Sequence, residues 1–245
     1  MRLSYPYYRD DLALVHHRGF AFHAEACAPG ILALLEPVRK RNGLVLEIGC
    51  GSGLLTAELV GAGHRVIASD ASPAMLRLAR DVAPGAEEFR RLTLPDDPIP
   101  EVDAVVGVGH ALNYLPSADA LTRALLALAR ALRPGGVLAI DVCDLEWGSS
   151  RRGDNNMGRV EEDWAIISRF STPSPDLYVR EMTIFVRNED GSWRRDDERH
   201  DNVLIDTAEV PALLASEGLE VKVQSSFGTE VLPVGLRALL GTRPM

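Results

Sequence analysis

Leu44-Val-Leu-Glu47-Ile-Gly49-Cys50-Gly51-Ser-Gly53 is an apolar run holding one acid and closing in glycines at every second position. Its first five residues, charged only at Glu47, read as a strand buried on both faces. The apolar series behind it (Leu54, Leu55, Ala57, Leu59) reads as a helix. Glycine suits a backbone that takes positive φ or lets a ligand lie against it. A helix N-terminus directly after such a turn points unpaired N–H groups at whatever is bound. The dinucleotide fingerprint Gly-x-Gly-x-x-Gly is imperfect here, because the place of its last glycine, counted from Gly51, is held by Thr56.

A second strand, Arg65 to Ser69, runs into Asp70, seventeen positions after Gly53. Together, Glu47-x-Gly49-x-Gly51-x-Gly53 and Asp70 resemble motif I and the acid after strand two of the class I S-adenosylmethionine-dependent methyltransferases. The resemblance implies S-adenosyl-L-methionine as cofactor and S-adenosyl-L-homocysteine as product. It implies that Gly49, Cys50 and Gly51 pass under the methionine and ribose part, that Glu47 helps hold the amino end, and that Asp70 accepts both ribose hydroxyls. A carboxylate has the lone pairs to do so. Ala71 and Met75 fall where relatives flank the adenine, although Met75 also fits a core position. The third strand, near Glu87 to Arg91, departs from the family pattern: Arg91-Leu92-Thr93 stands where many relatives have an acid and a small residue.

A fourth strand, Asp103 to Gly109, leads into His110-Ala-Leu-Asn113-Tyr114. Ligands in open α/β sheets lie outside the carboxyl ends of the strands. Gly109 is therefore assigned to the cofactor wall, and Asn113 and Tyr114 to the acceptor, with Trp147 beyond strand five as a further acceptor contact. The Asn/Asp-Pro-Pro-Tyr motif of base- and glutamine-methylating relatives is absent. Catechol-type relatives hold a metal with acids after strands four and five; Gly109-His110 stands at the first of these places, so no metal is expected, although Asp141 and Asp144 leave that reading a small opening. The remaining resemblance is to small-metabolite and amino-sugar methyltransferases. His110 and His200 are candidate bases, histidine being poised near neutral pH; each also reads as a hydrogen-bonded structural histidine.

Residues 1–43 are expected to be a helical segment placed before the core. Of its opening tyrosines (Tyr5, Tyr7, Tyr8), Tyr8 is assigned to the cofactor; in relatives such aromatics close over a sulfonium, a cation–π contact. Arg18 reads either as a partner of the cofactor's carboxylate or as an exposed helix charge. His16, His17 and His23 do not share one helix face, which argues against a metal there. The expected fold is α/β: a Rossmann-like, seven-stranded, mostly parallel sheet with a reversed last strand, built from residues 44–144 and 206–245. Residues 145–205 break the alternation and predict an inserted antiparallel β cap, with the charged tract Arg194 to Asp201 on a solvated face.

The chain has 245 residues, 26 basic and 35 acidic, giving a net charge of −9. An acidic chain without long basic runs argues against nucleic acid. No apolar stretch approaches membrane-spanning length, and three widely spaced cysteines fit a reduced, cytoplasmic setting. The expected partner is a small-molecule acceptor, with a homodimer allowed. Two other classes stay open: a protein that binds the cofactor only to sense it or to stabilise a partner contact, and a nicotinamide-dependent reductase. On the first reading, Asp70→Ala weakens cofactor binding and Asp70→Glu does so less; unchanged calorimetric affinity in Asp70→Ala would refute the assignment.

Overall fold

The computed structural model describes residues 7–151 and 156–245; Tyr5 lies outside them. Two helices, α1 (Asp10–Gly19) and α2 (Phe22–Lys40), precede β1 (Leu44–Ile48), α3 (Leu54–Gly61), β2 (Arg65–Asp70), α4 (Pro73–Val82) and β3 (Glu88–Arg91). Then come β4 (Val102–Gly107), a 3-10 turn (Ala111–Tyr114), α5 (Ala118–Ala131) and β5 (Leu132–Cys143). Ser72 and Ser117 cap α4 and α5, accepting from Met75 N and Ala120 N, which relieves orphan donors of the first turn.

After α6 (Leu145–Ser150) come β6 (Asn156–Val160), β7 (Trp164–Ser174), β8 (Leu177–Arg187) and β9 (Trp193–Val203). A 3-10 turn (Thr207–Glu209), α7 (Val210–Ala215), β10 (Glu220–Gln224) and β11 (Leu236–Thr242) end the chain. The main sheet has the order β10-β11-β5-β4-β1-β2-β3. Only β11, the last strand, is reversed as expected, antiparallel to both β5 and β10. Strand order reverses between β1 and β4, where the crevice of such sheets opens.

Each buried strand feeds two cores by alternation. Val45, Val66, Ala104 and Ala139 face α2 and α3, while Leu46, Ile67, Val105 and Ile140 face α5 and α7. Helix α2 is therefore a layer of the sheet itself, packing through Cys27, Ile31, Leu35 and Val38, not a segment standing before the core. Helix α1 instead packs through Leu12 and Val15 on Trp164, Ile166, Met182 and Ile184.

Strand β5 begins at Leu132. Its Arg133-Pro134-Gly135-Gly136 stretch is absorbed as a register shift against β4 between Val102 and Ala104, and Gly135 N donates to Arg243 O. The cap is a four-stranded antiparallel sheet, β6-β7-β8-β9, preceded by α6. Pro173 does not end β7, because pairing slips between Ser171 and Ser174 where its missing N–H is tolerated. The tract Arg194 to Asp201 is not wholly solvated. Arg195, Asp197 and Arg199 are exposed and ion-paired, whereas Glu198 and His200 point inward and are buried.

Asn113 ties three elements together. Its Nδ2 donates to Cys143 O at 3.1 Å and Val203 O at 2.6 Å, and its Oδ1 accepts from Cys143 N at 2.8 Å. With 0% exposure, the side chain is a frame element between β5 and β9, which corrects its assignment to the acceptor. Asn113→Ala leaves three buried backbone groups without partners and is expected to cost about 2–4 kcal/mol in urea unfolding; a loss under ~0.5 kcal/mol would contradict this role.

Candidate active site

The site begins at the β1 turn. Gly49 takes φ +60, and a Cβ on it would lie 2.4 Å from that of Ala111, so the turn and the loop after β4 touch. Gly51, at φ +54, has nothing within 4 Å of where its Cβ would be, so it leaves an open cradle. Gly51 N donates to Asp70 Oδ2 at 2.9 Å and Ser72 N to Oδ1 at 2.7 Å. Burial raises the Asp70 pKa, opposed by backbone N–H groups of Ser72, Gly51 and Ala71. Ala71 itself is exposed beside it.

Glu47 is 1% exposed. Burial pushes its carboxyl up to about 8, the Thr56 hydroxyl opposing and Asp70 reinforcing the shift. Thr56 Oγ1 donates to Glu47 Oε2 at 2.6 Å, which gives the residue in the third-glycine place a defined task. An open cradle, a fixed carboxylate and a buried acid fit the ribose, methionine and ammonium parts of S-adenosylmethionine. Two expected contacts go elsewhere. The Cys50 side chain packs on Leu76 and Ala79, and Met75 on Ala13 and Tyr8; both side chains fill core. Arg18 pairs with Asp163 before β7, which makes it an exposed bridge to the cap.

A wall of rings stands beside the cradle. Tyr8 carries φ +58; its carbonyl accepts from Ser72 Oγ at 2.7 Å and its hydroxyl lies 3.0 Å from that of Tyr114. The ring centroid of His200 lies 4.7 Å from Tyr7, 4.9 Å from Tyr8 and 5.4 Å from Tyr114. His110 stacks on Tyr114 at 5.5 Å and meets Trp147 at 5.6 Å. Burial lowers His16 to about 3 and His110 to about 4, and lowers His200 despite the opposing Glu198 carboxylate. All three are neutral at pH 7. Nδ1 of each, and Trp147 Nε1, are buried without a protein partner. Because His200 Nε2 sits 2.9 Å from Glu198 Oε2, the ring keeps its proton on Nε2 and donates it to the carboxylate, leaving Nδ1 as a free lone pair.

Sequence reasoning missed the residues that hold this wall. Glu198 also accepts from the Tyr8 and Arg9 backbone N–H groups, at 2.9 and 2.7 Å. Asp141, whose place in the sequence suggests no more than a metal ligand, accepts from Gly109 N, His110 N and His23 Nε2 at 3.0, 2.6 and 2.7 Å. Burial disfavours charge on His23, but Asp141 and Cys27 outweigh it and raise the ring to about 10. His17 reaches Ser52 Oγ at 2.9 Å, so the three N-terminal histidines serve three separate places. The signals that sequence does offer are an acid ending a buried strand (Asp141) and an acid at alternate spacing from His200 (Glu198).

Residues 45–136 match the family described as a methyltransferase domain. The chain is 25% identical over 207 residues to Bacillus subtilis YqeM, a protein whose name marks it as an inferred methyltransferase, across 81% of this chain and 82% of that one. A solved S-adenosylmethionine-dependent methyltransferase from Clostridium acetobutylicum shares the fold with a TM-score of 0.78 at 18% identity, over 95% of this chain and 98% of that one. The sugar N-methyltransferase KedS8 from Streptoalloteichus gives 0.75 at 21% identity, over 100% and 98%. Sheet order, reversed β11 and the turn after β1 define the class I methyltransferase architecture. Residues 45–136 thus carry a methyltransferase domain, and the chain has the fold of the class I S-adenosylmethionine-dependent methyltransferases.

Glu47 supplies a direct test of the cradle. The folded acid keeps its proton to about 8 against an ordinary 4.5, so folding stability falls as pH rises between those values. A bound ammonium would favour the carboxylate. Titrating S-adenosylhomocysteine at pH 7 in buffers of different ionisation heat should therefore release about one proton per site. Glu47→Gln should abolish the release and flatten the stability loss; binding without release in the parent protein would remove Glu47 from the amino-end contact.

Proposed function

We propose that this protein transfers a methyl group from S-adenosylmethionine to a nitrogen or oxygen of a small metabolite, with an amino sugar as the favoured acceptor. The observation that carries this reading is the neutral His200, its Nδ1 lone pair turned into a buried ring of aromatic side chains beside the Gly51 cradle. The whole-chain likeness to a sugar N-methyltransferase supports the acceptor class.

S-adenosylmethionine supplies an electrophilic methyl group on a sulfonium whose leaving group is a neutral thioether. The chain's own work is positioning, which in favourable cases contributes ~7–11 kcal/mol. In this reading Asp70 holds the ribose hydroxyls and Glu47 the amino end. The tyrosine faces favour a cation, and the cap keeps water out. An amine acceptor that arrives protonated must lose a proton before its lone pair is available. His200 Nδ1 takes it, and the Glu198 carboxylate steadies the resulting imidazolium through Nε2. His110, whose backbone N–H is held by Asp141 and whose ring pKa is lowered by burial to about 4, shapes the acceptor side with Tyr114 and Trp147. Residues 44–144 and 206–245 hold the cofactor, and 145–205 select the acceptor. Three free, buried cysteines suit a reduced cytoplasmic setting, and the acidic charge balance favours a small acceptor over nucleic acid.

Labelled cofactor incubated with amino sugars and hydroxylated metabolites should give multiple turnovers. His200→Gln should lower kcat about 10²–10⁴-fold while leaving S-adenosylhomocysteine affinity within a few fold. Tight binding without turnover on any acceptor would instead favour a sensor, and no cofactor binding at all would defeat the reading.

A further inference from the structure

The inner face of the cap carries a cation that the reading above does not use. Arg180 sits midway along β8, in register with Phe170 of β7 and His200 of β9, so it shares their face with the buried Tyr178 and Met182. Elsewhere in the cap, Arg159, Arg194, Arg195 and Arg199 each pair with a carboxylate. Among the described residues none lies within ion-pair distance of Arg180. Its Nε is buried with no acceptor. What it does have is weak: an Nη contact to Ser168 Oγ at 3.4 Å and the Phe170 ring at 6.0 Å. Its charge bears on the same enclosure, opposing protonation of His16, His110 and His200. Taking a guanidinium out of water without an anion is unfavourable, and its planar fork matches carboxylate and phosphate oxygens.

We infer that Arg180 receives an anionic oxygen group, carboxylate or phosphate, carried by the acceptor itself. The inference rests on the methyl-transfer reading and narrows its substrates to amines or alcohols that bear an acid. Cβ atoms of directly opposed strand residues lie ~4.5–5.5 Å apart, so the acid is held a short span from the atom whose proton His200 takes.

The test needs no turnover. In protein labelled with 15N-arginine, the Arg180 Nε–H signal is identified by its loss in Arg180→Lys. Acetate and inorganic phosphate are then titrated separately. The expected result is a saturable shift of that signal at lower anion concentration than for exposed arginines such as Arg77, and the better anion names the source. A signal that moves no more readily than the exposed ones overturns the proposal. A second measurement uses acceptors matched as acid and amide in the turnover assay. Arg180→Met should lose about tenfold or more in kcat/KM on the acid with the amide unchanged and S-adenosylhomocysteine affinity retained; equal losses on both also overturn it. Failure of the methyl-transfer reading would instead appear as no turnover by the parent protein, and the anion titration would still decide whether Arg180 binds an anion.

Discussion

Two backbone N–H groups, from Gly51 and Ser72, converge on the carboxylate of Asp70, and the crevice takes its shape from that convergence. One belongs to the turn after β1, the other to the start of α4. Neither turn could lie as it does if the acid were missing, because each would leave a donor half-buried and unpaired. The same closeness demands glycine at position 49, where the loop after β4 presses on the turn. A ligand in the cradle therefore meets groups already fixed by the fold, which lowers the ordering cost of binding.

Electrostatics divide the site by burial and partner. His23 and Asp141 form a charged pair beneath the loop after β4, and Gly109 and His110 add their backbone donors to the same acid. Among the aromatic rings, His16, His110 and His200 stay neutral because burial removes the hydration their charged forms require. Charge is thus kept beneath the loop after β4, and neutral, polarisable rings line the wall around His200. The exception on the cap side is Arg180.

The parts of the site legible in sequence were those set by local backbone geometry. Alternate glycines, an acid before them and an acid ending the next strand encode a turn whose shape depends on few distant residues. Side-chain direction was less legible, since it depends on what arrives from elsewhere in the chain. Asn113 stands in the expected loop, yet β5 and β9 use its amide completely. Cys50 and Met75 sit in the right turns but point into core. Glu198 was concealed in a run of charges; only after β9 pairs with β8 does the two-residue period send it inward with His200. The layering of α2 against the sheet was missed for a similar reason: an amphipathic helix shows that it has a partner without showing which.

Glu198 does two unrelated-looking things at once. It grips the backbone N–H groups of Tyr8 and Arg9, and it carries the hydrogen bond that sets the tautomer of His200. The carbonyl of Tyr8 is meanwhile tied to Ser72, beside the Asp70 turn. Tyr8 and Arg9 are therefore fastened by the same carboxylate that orients the His200 ring. Displacing Tyr8 and Arg9 would strip two of the three donors from Glu198 and leave His200 as the remaining one. The backbone before α1 and the tautomer of His200 are thus coupled through one buried side chain.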